Sequence, residues 1–203
     1  MKLYVTPSSP YARIVRIVIL EKGLQDRVEI VTAQTRQAGS PYYAINPSGR
    51  VPFLVRDDGS AIEESTLICD WLDQLAGPPQ FALPQGAAQW EPRRLEARAR
   101  SLLDGIAVWS REMRRPENER SPTIIRHETD RAARLTDWWE GEIGHSWMQG
   151  LLNLAQITLA CAYGFEPHVP GLIWRPGHPR LAAWHAAMSA RPSFAATAPP
   201  PSK

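Results

Sequence analysis

The chain changes its pattern once, at Gly77-Pro78-Pro79, and that change limits the folds open to it. Paired prolines beside a glycine cannot continue a helix, so Gly77 to Gly86 reads as a linker. Ahead of it, short strand and helix signals alternate. Lys2 to Thr6 reads as a strand halted by Pro7 and the serines that follow. From Pro10 the apolar residues Ile14, Ile17, Val18 and Leu24 fall at helical spacing, and Gly23 is placed to end the segment. Val28 to Val31 reads as a second strand. Strand, helix, strand implies a parallel pair joined by a crossover helix.

A loop rich in Gln, Gly, Ser and Pro is expected from Thr32 to Arg50. Phe53 to Val55 then forms a strand, and Asp57-Asp58-Gly59 supplies turn chemistry for a hairpin into Ser60 to Ile62. Thr66 to Leu75 is helical, with Leu67, Ile68, Trp71, Leu72 and Leu75 on one stripe. Beyond the linker, strand signals nearly vanish. Ala87 to Arg115, Thr123 to Ile143, Leu154 to Tyr163 and Pro179 to Ala190 all carry helical periodicity, and Ala195 to Lys203 reads as a frayed tail. The expected organisation is an α/β domain over residues 1–77, a linker over 78–86 and an all-α domain over 87–203.

Composition excludes several classes of function. The 203 residues carry a formal net charge of only +2, from 23 basic and 21 acidic side chains, so nucleic acid is not expected as a partner. The arginines of 93–115 are interleaved with Glu91, Glu96, Asp104 and Glu112, which reads as a solvated helix face. No apolar run is long enough to cross a bilayer, and the start MKLYVT lacks the apolar core of a secretory signal. Cys69 and Cys161 lie in apolar helical stretches and read as small buried hydrophobes in a reducing, cytoplasmic setting. The five histidines show no metal-ligand spacing, so no metal is expected.

Three segments at element boundaries carry the chemistry: Ser8-Ser9-Pro10-Tyr11-Ala12-Arg13, Asn46-Pro47-Ser48-Gly49-Arg50-Val51-Pro52 and Glu64-Ser65-Thr66-Leu67-Ile68. In this order, on this strand and helix pattern, they resemble the glutathione S-transferase superfamily. The likeness continues in Asn153-Leu154-Ala155-Gln156-Ile157, similar to the family's capped core helix, and in His178 to Trp184 with Ala190 to Ser193. The resemblance implies a thioredoxin-like N-terminal domain, an all-helical C-terminal domain and glutathione as co-substrate. It also implies a homodimer and a small hydrophobic electrophile as the second substrate, in a conjugation of the detoxification kind.

The resemblance implies a cis Val51-Pro52 bond, which turns the Val51 backbone outward to pair with the cysteinyl part of glutathione like an added strand. Glu64-Ser65 opens a helix whose free N–H groups favour an anion. The γ-glutamyl carboxylate is expected on Ser65 and its amine on Glu64, with Thr66 as a further hydroxyl. Arg36 or Arg50 is expected to hold the glycyl carboxylate. The thiol needs its thiolate stabilised, and a serine hydroxyl does this as a hydrogen-bond donor, being too weak an acid to act as base. Ser9 and Ser8 both qualify, Ser9 by standing directly before Pro10. Tyr4 is mid-strand and suits packing. Trp109 and Met113 are expected to line the electrophile pocket. A non-catalytic protein acting through protein contacts, and a glutathione-dependent peroxidase or reductase, remain the competing readings.

Overall fold

In a computed structural model, residues 1–201 are described; Ser202 and Lys203, the end of the expected tail, lie outside them. The chain divides into two compact units. The first comprises Met1–Ala82 together with Ala196–Pro200, and the second is built on Leu83–Ala195.

The first unit begins with β1 (Lys2–Val5), whose alternation buries Leu3 and Val5. Helix α1 (Pro10–Glu21) follows, with Pro10 in its first turn and Ser9 as N-cap. Its buried residues include Ile14, Ile17 and Val18, and Gly23, at φ 64°, turns the chain out of it. Strand β2 (Glu29–Thr32) pairs parallel to β1. The expected loop then contains one helical turn that periodicity missed, α2 (Tyr42–Ile45). Strand β3 (Phe53–Val55) lies antiparallel to β1, and β4 (Ala61–Glu63) antiparallel to β3. β4 starts one residue later than expected, because Ser60 belongs to the turn, where its N–H donates to Asp58 Oδ1. Helix α3 (Ser65–Asp73) closes the unit and packs on α1. The sheet order is β2-β1-β3-β4, a thioredoxin-like arrangement. Leu3, Leu54, Ile68 and Leu72 are fully buried in it, each contributing about 1.5–3 kcal/mol by leaving water.

The proline segment after α3 is not loose. Lys22 Nζ is ion-paired with Asp73 Oδ1 (3.1 Å) and donates to the Asp73 carbonyl (2.8 Å) and to the Pro78 carbonyl (3.0 Å). Asp73 in turn accepts from Gln80 N (2.8 Å) and Phe81 N (2.9 Å), and Phe81 is buried. A charge pair at the end of α1 and α3 thus fastens the proline segment to the sheet-bearing unit.

The second unit is helical: α4 (Trp90–Met113), α5 (Pro122–Glu142), α6 (Ser146–Gln149), α7 (Leu154–Tyr163) and α8 (Pro179–Ser189). All ten residues of α7 are buried, as a helix apolar on every side requires, and it packs on α4. Its start is the expected capping box. Asn153 Oδ1 accepts from Gln156 N (3.1 Å), and Gln156 Oε1 accepts from Asn153 N (3.2 Å). Arg94 bridges Glu91 and Glu142, and Arg100 pairs with Glu96. A short α9 (Pro192–Ala196) follows. The frayed-tail expectation is corrected here, since Ala195 and Ala196 are helical and Thr197 is buried. Both cysteines are buried, and no disulfide joins them.

His178 joins α8 to α5. Its Nδ1 lies 2.7 Å from the Trp174 carbonyl and its Nε2 2.8 Å from Asp137 Oδ1. Both partners only accept, so both ring nitrogens must be protonated for both bonds to form. Burial alone would lower the basicity of the imidazole; Asp137 and the Trp174 carbonyl outweigh it and hold His178 above its ordinary value. The facing charges are Asp137 and Glu140 of α5, and Glu140 also accepts from Arg180 N and Leu181 N. With the folded value raised, the stabilisation is complete below about pH 6.5 and is lost as pH rises through that raised value. The denaturant midpoint is therefore expected to fall over that window, and Asp137→Asn to flatten the fall. Parallel pH profiles for the two proteins would contradict this link.

Candidate functional site

Sheet register assembles the site. Tyr4 of β1 stands opposite Phe53 of β3, and Phe53 opposite Glu63 of β4. The three positions make one row, with neighbouring strands about 4.8 Å apart. Beyond that row β1 runs out toward Ser8-Ser9, β3 is entered from Val51-Pro52, and β4 leads into Glu64-Ser65. Segments as much as 57 residues apart in sequence, from Ser8 to Ser65, therefore meet at one end of the sheet.

Val51-Pro52 is a cis bond. Among the described residues neither the N–H nor the carbonyl of Val51 has a hydrogen-bond partner. Val51 is half-buried beside a cluster of Ala33, Tyr42 and Phe53. The loop before it is held by residues that sequence reasoning passed over. Asn46, 2% exposed, donates through Nδ2 to the Arg50 carbonyl (3.0 Å) and accepts at Oδ1 from Ser48 N (3.1 Å). Tyr42 Oη donates to the same Arg50 carbonyl (2.6 Å). Ser48 Oγ donates to Glu63 Oε2 (2.7 Å), tying the loop to β4. Asn46 and Ser48 were in view only as flanks of the proline. An Asn-Pro pair is a turn signal, but nothing local reveals that Asn46 is buried.

Glu64 has φ 74° and ψ 119°, a conformation that costs a non-glycine residue roughly 1–3 kcal/mol. Its carbonyl accepts from Ile68 N (2.9 Å), so it stands as the cap of α3 with an exposed side chain. Ser65 is the first residue of α3, 1% exposed, and Thr66 is half-buried. A strained cap beside a buried hydroxyl at a helix N-terminus is a setting suited to an anion.

Ser9 Oγ accepts from Ala12 N (3.2 Å), and Ser9 N donates to the Thr6 carbonyl (3.0 Å). The hydroxyl oxygen is thereby fixed over the first turn of α1, and its proton is left for an acceptor outside the helix. Ser8 is half-buried with no hydrogen bond among the described residues. Arg36 is exposed, at φ 58°, in the loop that leaves β2 at this same end of the sheet. Arg50 directly precedes Val51, with its side chain exposed. The register brings Ser8, Ser9, Val51, Pro52, Glu64 and Ser65 together but does not fix which arginine belongs with them. Tyr4 packs on Tyr42 with ring centroids 5.5 Å apart and the planes tilted by 36°, in keeping with a packing role. In the second unit Trp109 is buried, its indole N–H without a partner, and Met113 is half-buried.

A family model for the glutathione S-transferase N-terminal domain matches residues 3–80. A glutathione transferase family member from Pseudomonas fluorescens Pf-5, solved with bound glutathione, is 32% identical with a TM-score of 0.88, over 98% of both chains. The chain belongs to the glutathione S-transferase superfamily. A superfamily structure from Methylobacillus flagellatus KT with glutathione bound is also 32% identical, at a TM-score of 0.86, over 98% of this chain and 99% of that one. An uncharacterized GST-like protein of Escherichia coli K12, YibF, is 29% identical over 98% of this chain and 99% of its own. The superfamily's two-part fold, a thioredoxin-like N-terminal domain and a helical C-terminal domain, is the one described above.

Proposed function

We propose that the protein is a cytoplasmic, homodimeric glutathione transferase that joins the glutathione thiolate to small hydrophobic electrophiles. The observation that carries the reading is the meeting of a cis Val51-Pro52, a helix-opening Ser65 and the capped start of α1 at one end of the sheet. It is supported by the glutathione bound in the superfamily structures from P. fluorescens and M. flagellatus. Residues 1–77 act as the glutathione-binding domain, 78–86 as linker and 87–203 as the domain that receives the electrophile.

In this reading Val51 offers its N–H and carbonyl to the cysteinyl unit, as an edge strand would. Ser65 and the N–H groups of α3 take the γ-glutamyl carboxylate, Glu64 takes the amine, and Arg36 or Arg50 takes the glycyl carboxylate. A free thiol titrates at about 8.5, so most glutathione is protonated at neutral pH. The Ser9 hydroxyl, its oxygen anchored on Ala12 N, donates its proton to the sulfur, and the N-terminus of α1 adds its dipole. The thiol proton leaves to solvent, and the thiolate forms a C–S bond to an electrophilic carbon. It does so either by displacing a leaving group that departs with its bonding pair or by adding to an activated double bond whose other carbon then takes a proton from solvent. No metal takes part. With serines at positions 8 and 9 and Cys69 fully buried, the chemistry belongs to the bound thiol and not to a protein cysteine.

Ser9→Ala is expected to lower conjugation turnover about 10- to 100-fold, the loss of one hydrogen bond to a charged atom, with glutathione affinity nearly kept. Ser8→Ala is expected to have a small effect. Steady-state rates with a panel of electrophiles check this, with peroxide turnover measured in parallel. Full activity in both variants would refute a serine donor, and turnover of peroxide alone would replace conjugation by the reductive reading.

A further inference from the structure

The Arg50 carbonyl and the Val51 N–H belong to one peptide unit, and that unit is trans, because Val51-Pro52 is the cis bond recorded among the described residues. In a trans peptide the C=O and N–H point in opposite directions. Two donors hold this carbonyl: Tyr42 Oη at 2.6 Å and Asn46 Nδ2 at 3.0 Å. Both side chains are buried, at 3% and 2% exposure, so the carbonyl is drawn toward the interior. The Val51 N–H is thereby sent the opposite way. We infer that Tyr42 and Asn46 are positioning residues, which lock the Arg50–Val51 peptide so that its N–H faces outward for a peptide ligand.

Each donor is itself fixed. Burial, before any other influence, pushes the Tyr42 phenol above its ordinary value, so it remains a donor across neutral pH. Asn46 cannot turn its amide over freely, because Oδ1 is engaged by Ser48 N at 3.1 Å while Nδ2 faces the carbonyl. Gly49, at φ 65°, packs where a Cβ would come within 2.7 Å of the Tyr43 ring, which keeps the loop close over α2. A backbone donor held in place before the ligand arrives loses little freedom on binding.

This inference rests on the proposed glutathione site, and its test separates the two. Tyr42→Phe keeps the ring and deletes one donor. Asn46→Asp keeps the acceptor for Ser48 N and replaces the other donor with a carboxylate facing a carbonyl. In the ligand-free protein, the N–H residual dipolar coupling of Val51 reads the orientation of that bond. It is expected to change in both variants while the couplings of β1 and β3 stay as in the parent. Calorimetric titration with glutathione is expected to show about tenfold weaker binding in each, roughly the worth of one lost hydrogen bond. An unchanged Val51 coupling would overturn the positioning role whether or not glutathione binds. So would a changed coupling with undiminished affinity. A parent protein that does not bind glutathione, but whose Val51 coupling still responds, would sink the glutathione reading and leave the peptide lock standing.

Discussion

Asp73→Ala is expected to destabilise the first unit by about 3–5 kcal/mol and lower its melting temperature on the order of 10 °C. The size follows from what the substitution strands. Lys22 and Asp73 have side chains 1% and 4% exposed, and the ammonium is ion-paired with the carboxylate while donating to two carbonyls. Removing Asp73 leaves a buried ammonium without its counter-charge and frees Gln80 N and Phe81 N. Lys22→Met in the same background is expected to recover part of the loss, since no charge is then left unpaired. Calorimetric melts of the parent, both single variants and the double variant measure this. A single Asp73→Ala variant that melts within about 2 °C of the parent would show that the pair does not hold the proline segment.

The second large effect concerns ligand binding. Ser65→Ala is expected to weaken glutathione binding about 10- to 100-fold, because a hydrogen bond to a carboxylate is worth about 1.5–3 kcal/mol. Stability should change far less, since the α3 dipole and the backbone N–H groups at its N-terminus remain. Ser65→Thr should restore much of the affinity if the hydroxyl is what the ligand uses. Calorimetric titrations give these affinities directly. Equal affinity in parent and Ser65→Ala would remove Ser65 from the site.

Much of the fold could be read from local pattern. Leu154–Tyr163 is bounded as expected because its signal is local: a capping box at one end and a glycine at the other. Phe53–Val55 lies between a proline and an Asp-Asp-Gly turn, and those punctuators set its limits. Tyr42–Ile45 escaped notice because four residues after a proline are too few for any period to show. The burial of Phe81 and Thr197 escaped for another reason. Each sits in a proline-rich stretch, where no periodicity marks a buried face. Lys22 and Asp73 are 51 residues apart, and a polar residue on a helix reads as solvated until its partner is known.

The candidate site divides along the same line. Residues that sit at element boundaries, such as Ser9, Val51, Pro52 and Ser65, carry their role in their position, and the sheet register then gathers them. Residues that act on the site from beneath, Tyr42 and Asn46, look like loop and turn residues in the sequence. Only their burial and their shared carbonyl show what they hold. The strained Glu64 is likewise invisible locally, since Glu-Ser ahead of an apolar run reads as an ordinary helix start.

The central claim, that this end of the sheet holds glutathione, is tested most directly by melting the intact protein with and without the tripeptide. A ligand at about 100 times its dissociation constant adds about 2.7 kcal/mol to the state that binds it. For a chain of this length that is a rise on the order of 5–10 °C. The account predicts such a rise with millimolar glutathione in the parent and its loss in Ser65→Ala. A melting temperature that does not move with glutathione in the parent protein would contradict it.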